Sequence, residues 1–258
     1  MNAVGGTDLV KTDLLDGVAI ISISRPEKRN AFNPPLRESL ARAIEHAAAD
    51  DACRGIVLTG AGPHFSVGGD ADAFASMSGD DLRVLLAAAH RCITAVRHTP
   101  KPVVAAVEGI AAGGAAGLIL ACDAVVAARD ARIAFPFLKL GLVPDWGCVH
   151  FLRRKVGEGA ARRLLLQASV LSGEAALAAG VADDMVEPGQ ALAAALERVR
   201  GYLSFPGDAW GATKAMLDAP DTDLPAALDL ERRHQDACFH APAFRQALQA
   251  FQAGRGSR

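Results

Sequence analysis

The stretch Glu108-Gly-Ile-Ala-Ala-Gly-Gly-Ala-Ala-Gly-Leu-Ile-Leu-Ala-Cys-Asp123 follows an apolar segment, residues 102–107, and leads through glycines into a second apolar run. This order predicts a buried strand, a tight turn and a helix. Gly113 and Gly114 fall at the turn, where the lack of a Cβ atom would let a ligand approach the N–H groups that begin the helix. The glycines could instead serve only to let the helix pack closely against the strand, so this turn needs support from elsewhere in the chain.

A second glycine turn lies upstream, in Gly60-Ala-Gly-Pro-His-Phe-Ser-Val-Gly-Gly-Asp70, directly after an apolar strand predicted at residues 55–59. Two strand–glycine–helix turns in one domain could place two backbone N–H groups on the same oxygen atom. That arrangement is an oxyanion hole, which stabilises negative charge that develops on a carbonyl oxygen. Neither turn resembles a phosphate-binding loop, because no Gly-Lys-Ser/Thr follows and no G-x-G-x-x-G lies in the required phase between strand and helix.

The composition is that of a globular protein. With 258 residues, 51% of them hydrophobic and 22% charged, the chain can form one large domain with a sizeable core. A net charge of −2 gives no signature of nucleic-acid or membrane binding. The five cysteines form no C-x-x-C motif and the seven histidines form no zinc pattern, so we expect reduced thiols, a cytoplasmic location and no metal. The first eleven residues lack the features of a signal peptide, and the longest apolar segment, residues 110–122, is too short to span a bilayer.

Hydrophobic periodicity and turn residues predict an α/β fold. Alternating segments around Asp16-Gly17 predict a β-hairpin over residues 8–24. The other elements predicted before residue 148 are helices at 36–49 and 81–97 and strands at 55–59, 102–107 and 124–128. From residue 148 onward the pattern predicts helices, interrupted by a short extended segment at 183–187. The alternation of strands and helices followed by a helical tail indicates an α/β core with C-terminal helices.

Four segments together resemble the crotonase, or enoyl-CoA hydratase/isomerase, superfamily. They are Arg25-Pro-Glu-Lys-Arg-Asn-Ala-Phe-Asn33, Phe65-Ser-Val-Gly-Gly-Asp70, Lys101-Pro-Val-Val-Ala-Ala-Val-Glu-Gly109 continuing to Cys122-Asp123, and Leu171-Ser-Gly-Glu-Ala-Ala-Leu-Ala-Ala-Gly-Val181. The resemblance covers nearly the whole chain and implies a crotonase-like ββα superhelix core with a C-terminal helical region that forms a trimer, often paired into a hexamer. It places the core, with its CoA-binding and oxyanion turns, at residues 1–190 and the helical oligomerisation region at residues 191–258.

The resemblance also implies a substrate and a site. The substrate is an acyl-CoA thioester whose carbonyl oxygen accepts hydrogen bonds from two backbone N–H groups, and the matching positions here are Val67 and Gly114. Lys28 and Arg29 match residues near the CoA phosphates and Ala31 matches one near the adenine, although on composition alone this loop could be a solvated turn. The other residues expected to contact CoA or the acyl group are Ser66, Gly68, Gly69, Asp70, Gly113, Phe137 and Trp146. We expect no separate cofactor, no nucleic-acid partner and no membrane association.

Two positions depart from the pattern of the family's hydratases, which use two glutamates. The matching residues here are Gly117 and Phe137. Adding water across a double bond in that way needs a base for the water and an acid for the α-carbon. The chain is therefore a poor candidate for the standard hydratase reaction.

One carboxylate remains in a position suited to catalysis: Asp145, in Leu140-Gly-Leu-Val-Pro-Asp-Trp-Gly147. From the residues alone, it could simply be the N-cap of the following helix. If it faces a pocket instead, partial burial would raise its pKa toward the range useful for proton transfer. The apolar residues predicted to line that pocket are Phe137, Leu142, Val143 and Trp146. The segment resembles the branch that includes epoxyphenylacetyl-CoA isomerases and some Δ3,Δ2-enoyl-CoA isomerases, in which this aspartate is the catalytic acid/base.

Three functions follow from these observations. The first is an acyl-CoA isomerase that uses Asp145, and the second is a hydratase or another enolate-forming member of the superfamily with an unusual base. The third is a catalytically silent acyl-CoA-binding protein. The missing glutamates favour the third over the second, and the retained Asp145 favours the first over both. A carboxylate directed inward would support catalysis, whereas one that caps its own helix would support the silent alternative.

Overall fold

The computed structural model describes residues 9–75, 77–220 and 223–255. Its strands are β1 (Val10–Leu15), β2 (Val18–Ile23), β3 (Gly55–Gly60), β4 (Val103–Val107), β5 (Ile110–Ala112), β6 (Ala124–Ala128), β7 (Arg132–Ala134), β8 (Val170–Ser172) and β9 (Asp184–Val186). Its helices are α1 (Pro34–Ala49), α2 (Ala71–Phe74), α3 (Gly79–His98), α4 (Gly114–Ala121), α5 (Cys148–Val156), α6 (Glu158–Leu166), α7 (Gly173–Ala178), α8 (Ala191–Leu203), α9 (Ala209–Asp218), α10 (Leu224–His240) and α11 (Pro242–Arg255). Within the described ranges no helix is both long and apolar enough to cross a membrane.

The larger sheet has six strands in the order β1-β2-β3-β4-β6-β9. β1 and β2 pair antiparallel, and the other neighbours pair parallel. The hairpin turns at Asp16 and Gly17, whose φ angles of 52° and 80° are both positive, as a type I′ turn requires. The central strands β3, β4 and β6 are almost entirely buried, since elements on both faces exclude water from a parallel sheet. The predicted hairpin and the predicted α/β class are thus confirmed.

Alternate positions of the sheet enter two hydrophobic clusters. In β4, Val103, Ala105 and Val107 join the larger cluster with α1, α3 and α4, whereas Val104 and Ala106 join the smaller one. The smaller cluster is completed by residues of α8, which are Ala191, Ala195, Leu196 and Val199. The first helix of the predicted oligomerisation region therefore packs on the sheet, and the boundary between residues 190 and 191 stays a prediction.

The sequence patterns do not predict the second sheet, which has three strands in the order β5-β7-β8. Each of these strands has three residues, too few for a hydrophobic alternation to be recognised. β5 follows β4 after Gly109, whose φ of 53° lets the chain change direction. The predicted strand–turn–helix unit therefore contains an additional strand, and β5 leads the chain to Gly113 and α4.

The C-terminal helices differ in how much of their surface is buried against the core. Lys214 on α9 is buried, and its Nζ lies 2.8 Å from Asp123 Oδ2, which also accepts the Val103 N–H at 2.8 Å. α10, in contrast, buries none of its residues. Large apolar side chains exposed on α10 and α11 are Leu224, Leu228, Phe239, Leu248 and Phe251. The predicted helical tail is confirmed, and its role in self-association stays a prediction.

Candidate active site

The two glycine turns lie side by side. Ser66 N–H donates to Ile110 O at 2.9 Å, and Ala112 N–H donates to Ser66 O at 3.0 Å, which ties the first turn to β5. Gly68 lies at the contact with a φ of 86°, and a Cβ atom there would overlap Ala112 O and lie 3.5 Å from Gly114 N. Position 68 therefore requires glycine both for its backbone conformation and for the close approach of the two turns.

The N–H groups of the two turns differ in whether a protein atom already accepts their hydrogen. Val67 N–H donates to Arg29 O at 3.1 Å. A backbone N–H carries a single hydrogen, so this bond contradicts the prediction that Val67 is a donor for a ligand. Among the described residues, no protein atom accepts the N–H of Gly69 or of Gly114. Gly114 begins α4, where N–H groups have no partner within the helix and the helix dipole is positive.

Asn30 fixes the loop of residues 25–33 onto the first turn, and the sequence patterns do not single it out. Asn30 is fully buried with a φ of 59°, a conformation that asparagine tolerates better than most residues. Its Nδ2 donates to Ala61 O at 3.0 Å and His64 O at 2.7 Å, while its Oδ1 accepts Arg25 N–H at 2.8 Å. Ser66 Oγ donates to Asn30 O at 2.7 Å. Ser66 is fully buried and its hydroxyl is bonded within the protein, so its expected contact with a ligand has no support from its side chain and stays a prediction.

The charged side chains of this loop are partly committed to the protein. Arg25 Nη1 lies 2.5 Å from Asp70 Oδ2, and Asp70 Oδ1 accepts the Asp72 N–H at 3.0 Å. The Arg25 guanidinium lowers the pKa of Asp70, so Asp70 stays ionised. Its two carboxylate oxygens bind Arg25 and the Asp72 N–H, which stabilises the turn. Lys28 and Arg29 are exposed. Lys28 Nζ lies 2.9 Å from Asp72 Oδ2, a surface pair that is weak in water.

Asp145 does not cap the helix that follows it. α5 has Gly147 as its N-cap, with no side-chain hydrogen bond, and Cys148 N–H donates to the backbone carbonyl of Asp145 at 3.0 Å. The Asp145 side chain is partly buried, and its Oδ1 is buried without a hydrogen-bond partner. Burial raises the pKa of Asp145, and the positive charge of Arg37 opposes that shift. The N-cap alternative is therefore contradicted.

The four apolar residues predicted to line a pocket beside Asp145 are divided between surface and core. Val143 is 78% exposed and Leu142 48%, so both lie at the surface. Phe137 is 6% exposed and Trp146 is fully buried. A side chain without accessible surface borders no space large enough for water. This contradicts the prediction that Trp146 lines the acyl pocket.

Trp146 instead fills the space beside two glycines of α4. Its φ of 52° is an uncommon, strained conformation for a bulky residue, which persists only where the surrounding packing holds it. A Cβ atom at Gly114 would lie 2.5 Å from Trp146 Nε1, and one at Gly117 would lie 2.6 Å from Trp146 Cβ. Any side chain at position 117 would therefore collide with Trp146. The position of the first hydratase glutamate is sterically closed.

Gly117→Ala is expected to destabilise the protein, because the added methyl group would displace Trp146. Overpacking of this kind costs about 1–3 kcal/mol. Gly159→Ala in α6 is the matched control, since nothing lies within 4 Å of its Cβ position. Alanine is favoured there, by less than the about 0.5–1 kcal/mol typical of a helix interior, because Gly159 is the second residue of α6. Urea denaturation should therefore show shifts of opposite sign, and two variants of equal stability would contradict the packing of Trp146 on α4.

Arg37, on α1, brings a positive charge into the core near Asp145. It is 1% exposed, and its Nε and Nη1 have no hydrogen-bond partner. The guanidinium lies 5.4 Å from the centroid of the Trp146 ring and 6.0 Å from that of Phe32. Burial lowers the pKa of Arg37 to about 10, and the Asp145 carboxylate opposes that shift. The sequence patterns do not single out Arg37, although an arginine in the apolar stripe of an amphipathic helix is a usable signal.

The site thus offers two kinds of chemistry. The N–H groups of Gly69 and Gly114 can stabilise negative charge on an oxygen, and Asp145 can accept and return a proton. In the part of the chain that the structure describes, no group of three or more His, Cys, Asp or Glu residues could hold a metal ion.

Comparison with known proteins gives matches over nearly the full length. A family model described as enoyl-CoA hydratase/isomerase matches residues 14–256. The 1,2-epoxyphenylacetyl-CoA isomerase of Escherichia coli strain K12 is 34% identical over 244 residues, 93% of each chain. The structure of an enoyl-CoA hydratase from Polaromonas sp. JS666 has a TM-score of 0.89 at 30% identity, with 95% of this chain and 97% of that chain covered. That of an enoyl-CoA hydratase from Bacillus anthracis has a TM-score of 0.90 at 27% identity, with 95% and 96% covered.

Proposed function

The chain belongs to the enoyl-CoA hydratase/isomerase family, and on that premise we propose that it is an isomerase, which moves a double bond in an acyl-CoA thioester with Asp145 as acid/base. Its crotonase-like fold, expected from the sequence, is confirmed by the solved structures. One observation carries the choice of isomerase. At this site the Asp145 carboxylate has no protein hydrogen bond at Oδ1, while Trp146 occupies the space at Gly117 that the second carboxylate of a hydratase would need.

The proposed oxyanion donors are the N–H groups of Gly69 and Gly114, in place of the pair Val67 and Gly114 predicted from the sequence. Neither group has a protein acceptor within the described ranges, and hydrogen bonds to β5 hold the first turn next to the start of α4. Donors that are already in place stabilise developing charge without reorganisation. Each such donor typically contributes about 3–4 kcal/mol to the stability of the transition state.

In the proposed reaction, Asp145 removes a proton from the α-carbon of a 3-enoyl thioester. The electron pair moves toward the thioester, and its carbonyl oxygen becomes the oxygen of a dienolate, held by the two N–H groups. Protonated Asp145 then returns a proton to the γ-carbon on the same face, which gives the conjugated 2-enoyl thioester. Because one group takes and returns the proton, the reaction needs no second carboxylate, no added water and no separate cofactor.

The alternatives have less support from the site. A hydratase needs a second proton-transferring group, whereas position 117 is filled by Trp146 and Phe137 at the second position is apolar. The silent acyl-CoA-binding alternative predicts a capping Asp145, and the Asp145 side chain caps no helix. Hydration by an unusual base is the second candidate, because two of the solved relatives are named as hydratases.

The proposal is tested by mixing the purified protein with 3-enoyl-CoA thioesters of short, medium and long acyl chains. Formation of the conjugated 2-enoyl product is followed by its ultraviolet absorbance. Product formation without consumption of water would support the isomerase. Formation of a 3-hydroxyacyl-CoA from a 2-enoyl-CoA, with no isomerisation of any 3-enoyl substrate, would favour the hydratase instead.

We propose that Lys28 and Arg29 bind the CoA phosphates and that Ala31 lies near the adenine. Replacing both cations by alanine should weaken CoA-thioester binding about tenfold and flatten its salt dependence, since contacts between exposed cations and phosphate are screened. Calorimetry at two salt concentrations measures both quantities. Arg232→Ala, which removes an exposed cation from α10, is the control. Unchanged affinity and salt dependence in the double variant would remove this loop from the binding site.

We propose that the C-terminal helices mediate self-association into a trimer or a hexamer. α10 buries none of its residues, and exposed apolar side chains recur along α10 and α11, as is typical of a contact surface. Sedimentation velocity at micromolar concentration should show a trimer or a hexamer, and Leu228→Glu with Phe239→Glu should dissociate it. A single monomeric species of the unmodified protein would contradict this assembly.

A further inference from the structure

Arg37 is buried in a way that its local contacts do not explain. A charged group removed from water is normally paired or hydrogen-bonded, because the loss of hydration is costly. Arg37 is 1% exposed, yet Nε and Nη1 meet no hydrogen-bond acceptor. Its stacking on Trp146 and Phe32 offsets part of that cost. The remaining favourable interaction is electrostatic and involves the Asp145 carboxylate.

The groups that face Asp145 come from three helices. They are Arg37 on α1, His90 on α3 and Cys148 on α5. Burial raises the pKa of the Cys148 thiol to about 12, so it is neutral at physiological pH. His90 is exposed, so solvent weakens its electrostatic interaction with Asp145. Cys92, which faces Arg37 from α3, is also neutral because burial raises its pKa to about 12. Arg37 is therefore the permanent, poorly screened charge in this group.

Arg37 and Asp145 are also linked mechanically. The guanidinium stacks on Trp146, the residue directly after Asp145, and Trp146 is held in a left-handed conformation. The ring occupies the space beside the glycines of α4. By packing against this ring, Arg37 restricts the backbone next to Asp145 and so the position of the Asp145 carboxylate.

We propose that Arg37 is a positioning residue for Asp145: it holds Trp146 in place and supplies the fixed positive charge that keeps the Asp145 carboxylate ionised as a base. The inference rests on the proposed isomerase function. Asp145 must be ionised to take the α-proton, and burial alone opposes ionisation. Arg37 acts through Asp145 and Trp146 and touches no reacting atom in this account.

The test uses Arg37→Met and Arg37→Lys in the full chain, with kcat/KM for the isomerisation measured against pH. Without the positive charge the pKa of Asp145 rises, so the acidic limb of the profile should move upward by about one pH unit or more. Arg37→Lys keeps the charge and should hold that limb near its original position. A merely structural role would lower kcat and thermal stability at all pH values and leave the limb unmoved.

Folding of the variants is checked by thermal unfolding. Arg37→Met leaves the partly buried Asp145 carboxylate without its positive partner, which is destabilising, so the variant is assayed only below the temperature at which it unfolds. If the Met variant fails to fold, the acidic limb of the kcat/KM profile is measured in Arg37→Gln instead, whose side chain is also neutral.

Two failures are distinguishable. If the wild type isomerises its substrate and Asp145→Asn does not, an acidic limb that is unmoved in both Arg37→Met and Arg37→Gln overturns this inference and leaves the proposed function in place. If the wild type has no isomerase activity, the proposed function fails. The effect of the Arg37 charge on the pKa of Asp145 is then measured directly, by carbon NMR titration of the Asp145 carboxyl in the wild type and in Arg37→Met. Equal titration midpoints overturn it, and a higher midpoint in the variant supports it.

Discussion

Asp145→Asn should yield a folded protein that binds acyl-CoA but isomerises a 3-enoyl-CoA at least about a hundredfold more slowly, the lower end for a lost acid–base group. Asparagine has nearly the shape of aspartate and cannot carry the proton. The variant should fold, because the Asp145 side chain caps no helix and its Oδ1 accepts no hydrogen bond, but its free energy of unfolding should be lower, because buried Arg37 loses its negative partner. Ultraviolet absorbance of the conjugated product gives the rate, and calorimetry gives the binding.

Asp229→Asn is the matched control. It makes the same chemical change on α10, where the carboxylate is exposed and paired with Arg232, and it should keep the full rate. The wild-type rate should fall as the pH drops through the pKa of Asp145, which burial places above the usual value for aspartate. A full rate in Asp145→Asn would show that another group is the base. Loss of activity together with loss of helical circular dichroism would indicate a structural role.

The elements predicted well from the sequence are those with a long hydrophobic pattern. β4 and β6 lie in the middle of the sheet, where both faces are covered. Every residue of each strand is therefore buried and apolar, which gives a clear signal in the sequence. The sequences of β5, β7 and β8 contain no comparable hydrophobic pattern. Each is three residues long and is stabilised by pairing with segments distant in the chain, so the determinants of its structure are tertiary.

The sequence located both glycine turns but did not determine which N–H groups are free. The motif places Val67 and Gly69 within two residues of each other. The choice between them depends on the direction of one peptide plane, which is set by the hydrogen bond from Val67 N–H to Arg29 O. Arg29 adopts a positive φ of 51° in a loop held by buried Asn30, and these contacts are not visible in the local pattern of the turn.

Asp145 was likewise found by its motif, whereas its surroundings were not. The position of Arg37 in the apolar stripe of α1 is a signal of burial, but arginine is usually exposed, and that general tendency opposes the signal. Trp146 was expected to border the acyl group, but its left-handed backbone turns the ring toward α4, against Gly114 and Gly117. The glycines that identify the second turn thus also accommodate a tryptophan, a relation between two motifs that neither one predicts alone.

Replacing the backbone amide of Gly69 by an ester is expected to lower kcat by about 10²–10³. The ester exchanges the N–H for an oxygen and leaves the shape of the turn nearly unchanged, so it removes the proposed donor alone. The same exchange at Gly114 should have a similar effect, since both donors would hold the same oxygen. KM should change less than kcat, because the dienolate oxygen carries more negative charge than the carbonyl oxygen of the bound substrate.

The ester at Val67 is the control that separates the two assignments. Val67 N–H donates to Arg29 O at 3.1 Å, so its loss should lower the free energy of unfolding by about 0.5–1.5 kcal/mol and leave kcat nearly intact. The reverse result, a slow Val67 ester beside a fast Gly69 ester, would restore the assignment made from the motif. It would also mean that the bond to Arg29 breaks when the substrate binds, because one hydrogen cannot serve both oxygens at full strength.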